Sequence, residues 1–153
     1  MNILTAKIDK RKISFYARDV ERVLNAVEIT ELPEHPDIML GVINFHGDIL
    51  PVADIRRKFA LPQKPVEPED KIIILKSRDR RRYAVYVSSV LGNLDVPDEK
   101  VKNLDKAWPE LNYKDKVLDT AGELVIINNT ENFFLNTDIY KLDEILKKIS
   151  ENG

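Results

Sequence analysis

Two histidines, His35 and His46, are the only imidazoles of the 153-residue chain, and there is no cysteine. A metal site on His35-Pro36-Asp37 needs ligands from elsewhere, and a histidine in so proline-rich a loop is read as solvated. Ser88-Ser89 lacks the Gly-x-Ser-x-Gly surroundings of a nucleophile elbow. The five glycines are scattered singly, so no Gly-rich loop cradles a phosphate. Carboxylates are plentiful, but on strands and helix faces they read as solvating charge. Nucleophilic, acid–base and metal chemistry all need converging groups held in close geometry. The sequence offers no such set. The expectation is a chain that is not an enzyme and holds no metal or cofactor.

Two basic clusters raise a different chemistry. Arg56-Arg57-Lys58 and Arg78, Arg80, Arg81 and Arg82 could meet phosphates, as small barrels do when such charges sit beside exposed aromatics. Here Tyr83 and Tyr86 alternate along a strand, with at least one of them core, and Asp79 interrupts the run. The adopted reading is a solvated turn that blunts a sheet edge, with a nucleic-acid-binding barrel kept as an alternative. The net charge of −2 provides no global attraction to nucleic acid or anionic membrane. What remains is surface for protein partners, for which a few apolar anchors suffice. Val23 and the residues around the His46 turn are candidates on one half, Leu91 and Leu94 on the other. Trp108 is read as a plug at a core edge.

The elements that position these residues centre on Gly41 to Arg56. Two apolar runs, Val42 to Phe45 and Ile49 to Ala53, flank a polar turn at His46-Gly47-Asp48, which predicts a β-hairpin with both faces buried. Pro51 cannot donate to a ladder, so its side of the second strand is expected at an edge or bulge. Asp54 can cap a short helix starting near Ile55. Before the hairpin, Ile3 to Asp9 and Ile13 to Ala17 read as strands, then a helical turn at Arg18 to Glu21. A strand from Val23 to Ile29 follows, with Val23, Val27 and Ile29 inward. Leu61 to Asp70, with three prolines, reads as a linker between two β-rich portions. Beyond it come strands at Ile72 to Leu75, Arg82 to Val87 (Tyr83, Val85 and Val87 on one face) and Val90 to Val96, bent at Gly92. Val117 to Asp119, Leu124 to Ile127 and Phe133 to Leu135 are further short runs. A final helix, capped by Thr137 or Asp138, carries Ile139, Leu142, Ile145, Leu146 and Ile149 on one stripe that packs on its own core.

Short strands at such spacing, with few helices, predict an all-β fold of small barrels or a sandwich. Hydrophobic residues at 43% and charged residues at 33% describe an ordinary globular protein. The length fits one domain, or two small halves sharing a core. Met1 to Lys7 lacks a signal-peptide pattern and no apolar run approaches membrane-spanning length, so a cytoplasmic address without membrane insertion is expected.

The run Gly41-Val42-Ile43-Asn44-Phe45-His46-Gly47, continuing into Pro51-Val52-Ala53-Asp54-Ile55-Arg56, resembles the signature hairpin of the CheW-like family. Val85-Tyr86-Val87-Ser88-Ser89-Val90 matches the family's Val-Asp-x-Val strand, with Ser88 where Asp is usual. The likeness extends from Ile3 to about Leu146. It implies two five-stranded SH3-like barrels side by side, intertwined within one domain over 1–153, with the linker near 61–70 and a C-terminal helix. It also implies a non-catalytic adaptor. One barrel would pair with the regulatory domain of a CheA-like histidine kinase, and the groove between barrels would take a chemoreceptor's helical tip. A divergent regulator of another two-component pathway is the alternative within the same fold. The residues carried to partner binding are Arg22, Val23, His46, Gly47, Asp48, Pro51, Asp54, Arg56, Leu91 and Leu94. His46 stands where the family has its arginine, and Arg22 where a glutamate usually answers it. The family's carboxylate pair is therefore expected to be missing, with partner choice altered.

Overall fold

The computed structural model describes residues 1–103 and 115–132. In chain order the strands are β1 (Asn2–Ile8), β2 (Arg11–Tyr16), β3 (Val20–Asn25), β4 (Met39–Phe45) and β5 (Asp48–Ala53). A single α-helical turn, α1 (Ile55–Lys58), follows. Then come β6 (Lys71–Lys76), β7 (Arg82–Val87), β8 (Ser89–Asp95), β9 (Val101–Asn103), β10 (Lys116–Thr120) and β11 (Glu123–Asn128). One sheet has five strands in the order β3-β6-β7-β5-β4, and the other has six in the order β8-β1-β2-β11-β10-β9. The mostly-β architecture of two such units follows the expectation, with one strand more in the second unit. Trp108, the Phe133 to Leu135 run and the expected C-terminal helix lie outside the described residues.

Three apolar layers account for this arrangement. Ile43, Phe45, Leu50, Val52, Ile72, Ile74, Ala84 and Tyr86 fill the inside of the five-stranded sheet. Ile3, Tyr16, Val96, Leu118, Val125 and Ile127 fill the six-stranded one. The alternate residues of the same strands meet between the sheets: Leu4, Ala6, Ile8, Ile13 and Phe15 from one, Ile73, Leu75, Tyr83, Val85 and Val87 from the other. A strand buried on both faces must be apolar at every position, which is why Ile72 to Leu75 reads as a continuous run. The hairpin β4–β5 likewise feeds two layers.

The five-stranded sheet closes on itself through one contact. Thr30, just past β3, exchanges backbone hydrogen bonds with Val42 on β4 at 2.8 and 2.9 Å. Gly41 permits this approach, because a Cβ there would stand 2.4 Å from the Thr30 carbonyl oxygen. Val42 also faces Pro51 in the β4–β5 register. Since Val42 sends its N–H and C=O to Thr30, its pair with Pro51 is a non-hydrogen-bonded one, and the proline leaves no donor missing on that side. Pro51 is buried, on a strand that lies between β7 and β4, so of the expected edge or bulge the edge does not hold. Its other flank meets β7 only at Val52↔Ala84.

Two expectations need correction. Val23 and Val27 do not point inward: they are 38% and 45% exposed. A register shift between Val20 and Arg22 makes Glu21 an extra residue, which reverses the alternation along β3. Val20 thus packs with the layer between the sheets, and Leu24, Ala26 and Ile29 turn to the inside of the five-stranded sheet. Residues 61–70 do not divide two β-rich portions either. They join α1 to β6 within one sheet, and the chain changes sheet between β2 and β3 and again between β7 and β8.

Candidate functional site: a clamped hairpin tip and an exposed strand

The β4–β5 turn places His46 at φ 53 and Gly47 at φ 88, the paired positive values that suit the right-handed twist of a two-residue hairpin. Asn44 steadies it by accepting the Gly47 N–H at 2.9 Å. Histidine is among the few non-glycine residues enriched in this left-handed region. The His46 side chain stands against Phe45, ring centroids 4.5 Å apart and edge-on.

Around Phe45 the charges are arranged differently from the sequence expectation. Arg22 does not oppose His46; its guanidinium lies over the Phe45 ring at 5.9 Å. The acid from β3 is Glu21, brought into reach by the bulge. The cation is Arg82 at the start of β7. Its Nε and Nη2 donate to one Glu21 oxygen at 3.0 and 2.8 Å, and its Nη1 donates to Asp48 at 2.9 Å. The same guanidinium sits 5.4 Å from the centre of the Phe45 ring. Arg82 thus links β3 to the hairpin, a cation from a third strand holding an acid from each. Sequence reasoning missed Glu21, Phe45 and Arg82. The available signal was Arg82 closing a basic run as the first residue of a strand.

The ten predicted partner residues fall into separate places. Arg22, His46, Gly47 and Asp48 come together at the tip, and Val23 follows Arg22 along β3 with its side chain exposed. Leu91 and Leu94 lie on β8, 50% and 49% exposed, at the outer end of the six-stranded sheet's order. The β1–β8 register passes from Thr5↔Gly92 to Ala6↔Val90, so Leu91 is the bulged residue beside Gly92. Pro51 is buried, as described.

Asp54 and Arg56 are occupied within the fold. Asp54, 5% exposed, caps α1 by accepting the Arg57 N–H at 3.1 Å and takes a second bond from Gln63 at 2.8 Å. Arg56 reaches the β1–β2 turn and grips Asp9 with two bonds of 2.9 and 2.8 Å. That pairing holds the Asp9 carboxyl below its ordinary range. Two residues on, Lys58 donates to Asp115 at 2.9 Å and to Asn128 at 2.6 Å. Burial pushes the Lys58 ammonium down, with Asp115 acting against that shift.

Nothing among the described residues gathers into a reactive set. No group of three His, Cys, Asp or Glu side chains could hold a metal there. His35 sits by the Pro36 carbonyl at 3.1 Å and Glu31 at 4.0 Å. A cavity of about 30 Å³ beside Asp54 and Gln63 has room for a single water. Another of about 140 Å³ lies among Tyr16, Arg18, Asp19, Arg78 and Glu131. Pockets for organic ligands run from roughly 300 Å³ upward. No helix among the described residues is long and apolar enough to cross a membrane.

The sequence model of the CheW-like domain family matches residues 2–135. A probable chemotaxis protein CheW of Rhizobium etli is 30% identical over 104 residues, covering 61% of this chain and 66% of that protein. The chemotaxis protein CheW of Thermotoga maritima is 26% identical over 125 residues, 81% of each. Among solved structures, the scaffolding protein TtCheW from Thermoanaerobacter tengcongensis superimposes with a TM-score of 0.75 at 21% identity, covering 88% of this chain and 93% of that one. The paired sheets, the Gly41 to Arg56 hairpin that closes one of them, and a family match running across both sheets agree: this chain belongs to the CheW-like domain family.

Proposed function

We propose that this protein is a non-catalytic scaffold of chemotaxis signalling. In the cytoplasm, it couples chemoreceptors to a CheA-type histidine kinase by holding both at once. The observation that carries this reading is the placement of the exposed anchors on two different sheets. Val23 and the clamped hairpin tip belong to the five-stranded sheet, Leu91 and Leu94 to the six-stranded one. An adaptor needs two such surfaces, and apolar anchors bind without any reactive group. The kinase's regulatory domain is assigned to one surface and the receptor's helical tip to the other.

The test is co-purification with a CheA-type kinase regulatory domain and with a receptor cytoplasmic fragment. Val23→Asp and Leu94→Asp are each expected to abolish one of the two associations and spare the other. Retention of both by both variants would overturn the assignment. A nucleic-acid interface has less support, because two of the four arginines of this cluster are answered by the chain's own acids. Arg82 binds Glu21 and Asp48, and Arg81 lies 2.9 Å from Asp79. A salt titration separates the readings, since phosphate contacts weaken steeply with salt and apolar contacts much less.

A further inference from the structure

The contact layer between the two sheets is almost wholly apolar. Apolar burial is strong but non-directional, so it holds the sheets together without fixing how one is turned on the other. Direction comes from the polar ties that cross the layer. Neutral or backbone-mediated ones among the described residues include the Tyr83 hydroxyl donating to the Thr130 carbonyl at 2.9 Å and the Arg78 N–H donating to Glu131 at 2.6 Å. Among the described residues, the closest charged pairs come from α1, and Lys64 of the following segment adds a looser one to Asp9 at 3.8 Å. This single turn follows β5 of the five-stranded sheet, yet both of its reaching cations end on the six-stranded one. Arg56 ends on Asp9 between β1 and β2. Lys58 ends on Asp115, just before β10, and on Asn128 at the close of β11. The second contact is the better sheltered, with side-chain exposures of 22% for Lys58 and 7% for Asp115. It is also tied onward. Asp115 accepts the Asn129 N–H at 2.7 Å, and the fully buried Asn128 donates to the Ser14 carbonyl on β2 at 2.9 Å.

We propose that Lys58 is a positioning residue whose pair with Asp115 and Asn128 fixes the angle between the two sheets, and with it the spacing of the two partner surfaces. What that spacing serves rests on the function proposed above; the angle itself does not. A sheltered pair of this kind is demanding, because removing Lys58 leaves the buried Asp115 carboxylate without this cation. It is also directional, which the apolar layer is not.

The chain has no cysteine, so two introduced ones can be spin-labelled uniquely. Labels at Val23→Cys and Leu94→Cys report the inter-sheet distance by pulsed electron resonance, with no partner present. The parent is expected to give one narrow distribution. Lys58→Met should lose that single peak and spread, and Asp115→Asn, which keeps shape and the Asn129 contact, should spread in the same direction. Ile127→Val, which loosens the core of one sheet without touching α1, should stay narrow. If Lys58→Met does not fold, Asp115→Asn alone decides. An unchanged distribution in a folded Lys58 or Asp115 variant overturns the proposal, as does equal spreading in Ile127→Val. Retained or lost kinase binding bears only on the function proposed above.

Discussion

Arg82 and Glu21 form a two-bonded pair across β7 and β3, both N–H groups meeting the same carboxylate oxygen, while the third arm of the guanidinium holds Asp48 on the hairpin. Two carboxylates from different strands thus share one cation over the face of Phe45. The arrangement is partly solvated, so its stabilisation is modest. Arg82→Gln is expected to cost about 1 kcal/mol, measured by urea unfolding. The larger effect should be local, as Glu21 and Asp48 are then left facing each other across the tip. Increased solvent exchange of the Gly47 and Asp48 amides would register it. An unaltered tip in Arg82→Gln would show that the turn chemistry of Asn44 and Gly47 alone holds the hairpin.

How much of this could be read beforehand differs residue by residue. Gly47, Asp54 and the alternation of Tyr83, Val85 and Val87 were legible because turns, caps and strand periods are local properties. The inward reading of Val23 fails because a one-residue bulge leaves no mark in hydrophobic alternation, and Glu21 is as polar as the Arg22 that follows it. The linker misled for another reason: three prolines forbid regular structure without saying which strands pair on either side. Arg22 and Arg82 could not be told apart as the hairpin's cation, since the choice depends on which strand lies beside β4–β5. That pairing joins residues far apart in sequence. Arg56 carried a family label but no sign of its partner Asp9, 47 positions away.

His46→Arg restores the family's side chain to a tip whose carboxylates are already engaged. The new guanidinium would compete with Arg82 for Asp48 beside Phe45. The fold should hold, because the residue is exposed and the turn is set by Gly47 and Asn44. Binding of the kinase regulatory domain, followed by titration calorimetry, is expected to change. Identical affinity in the two proteins would remove this turn from the interface.

Asp54 and Arg56 should influence binding only through the fold. Asp54→Ala removes the α1 cap and strands Gln63, for an expected loss of about 1–2 kcal/mol. Arg56→Gln acts on Asp9, whose folded carboxyl is held below the ordinary value of 3.8. A depressed carboxylate contributes stability that is complete above its unfolded value and fades as pH falls through the folded one. The stability gap between parent and Arg56→Gln should therefore be present at neutral pH and close in acid below 3.8. A gap independent of pH would mean that Arg56 acts through the Pro62 carbonyl instead.

Gly41→Ala tests closure of the five-stranded sheet. Its new methyl would meet the Thr30 carbonyl oxygen at 2.4 Å and the Ile29 side chain at 2.8 Å. Both neighbours are fixed, one as backbone and the other by its apolar layer. The expected cost is about 2–4 kcal/mol, with the Thr30 and Val42 amides losing exchange protection first. Were those amides to stay protected, the closing bridge would not depend on the glycine.

Tyr86 offers a test at the alkaline end. It lies on β7 with its hydroxyl donating to the Val27 carbonyl, and burial raises its pKa to about 12 from an ordinary value of 10. Between those limits the unfolded chain releases a proton that the folded chain keeps. The stability Tyr86 contributes is therefore whole below about 10 and is lost as pH climbs through about 12, at no more than about 1.4 kcal/mol per pH unit. Tyr83 is raised in the same sense and acts in both proteins alike. Tyr86→Phe should start about 1 kcal/mol below the parent at neutral pH, having lost one hydrogen bond. Lacking the proton, it should fall less steeply in alkali, so the two unfolding midpoints are expected to converge between pH 10 and 12. Parallel curves across that window would place the loss of alkaline stability on Tyr83 or on another group.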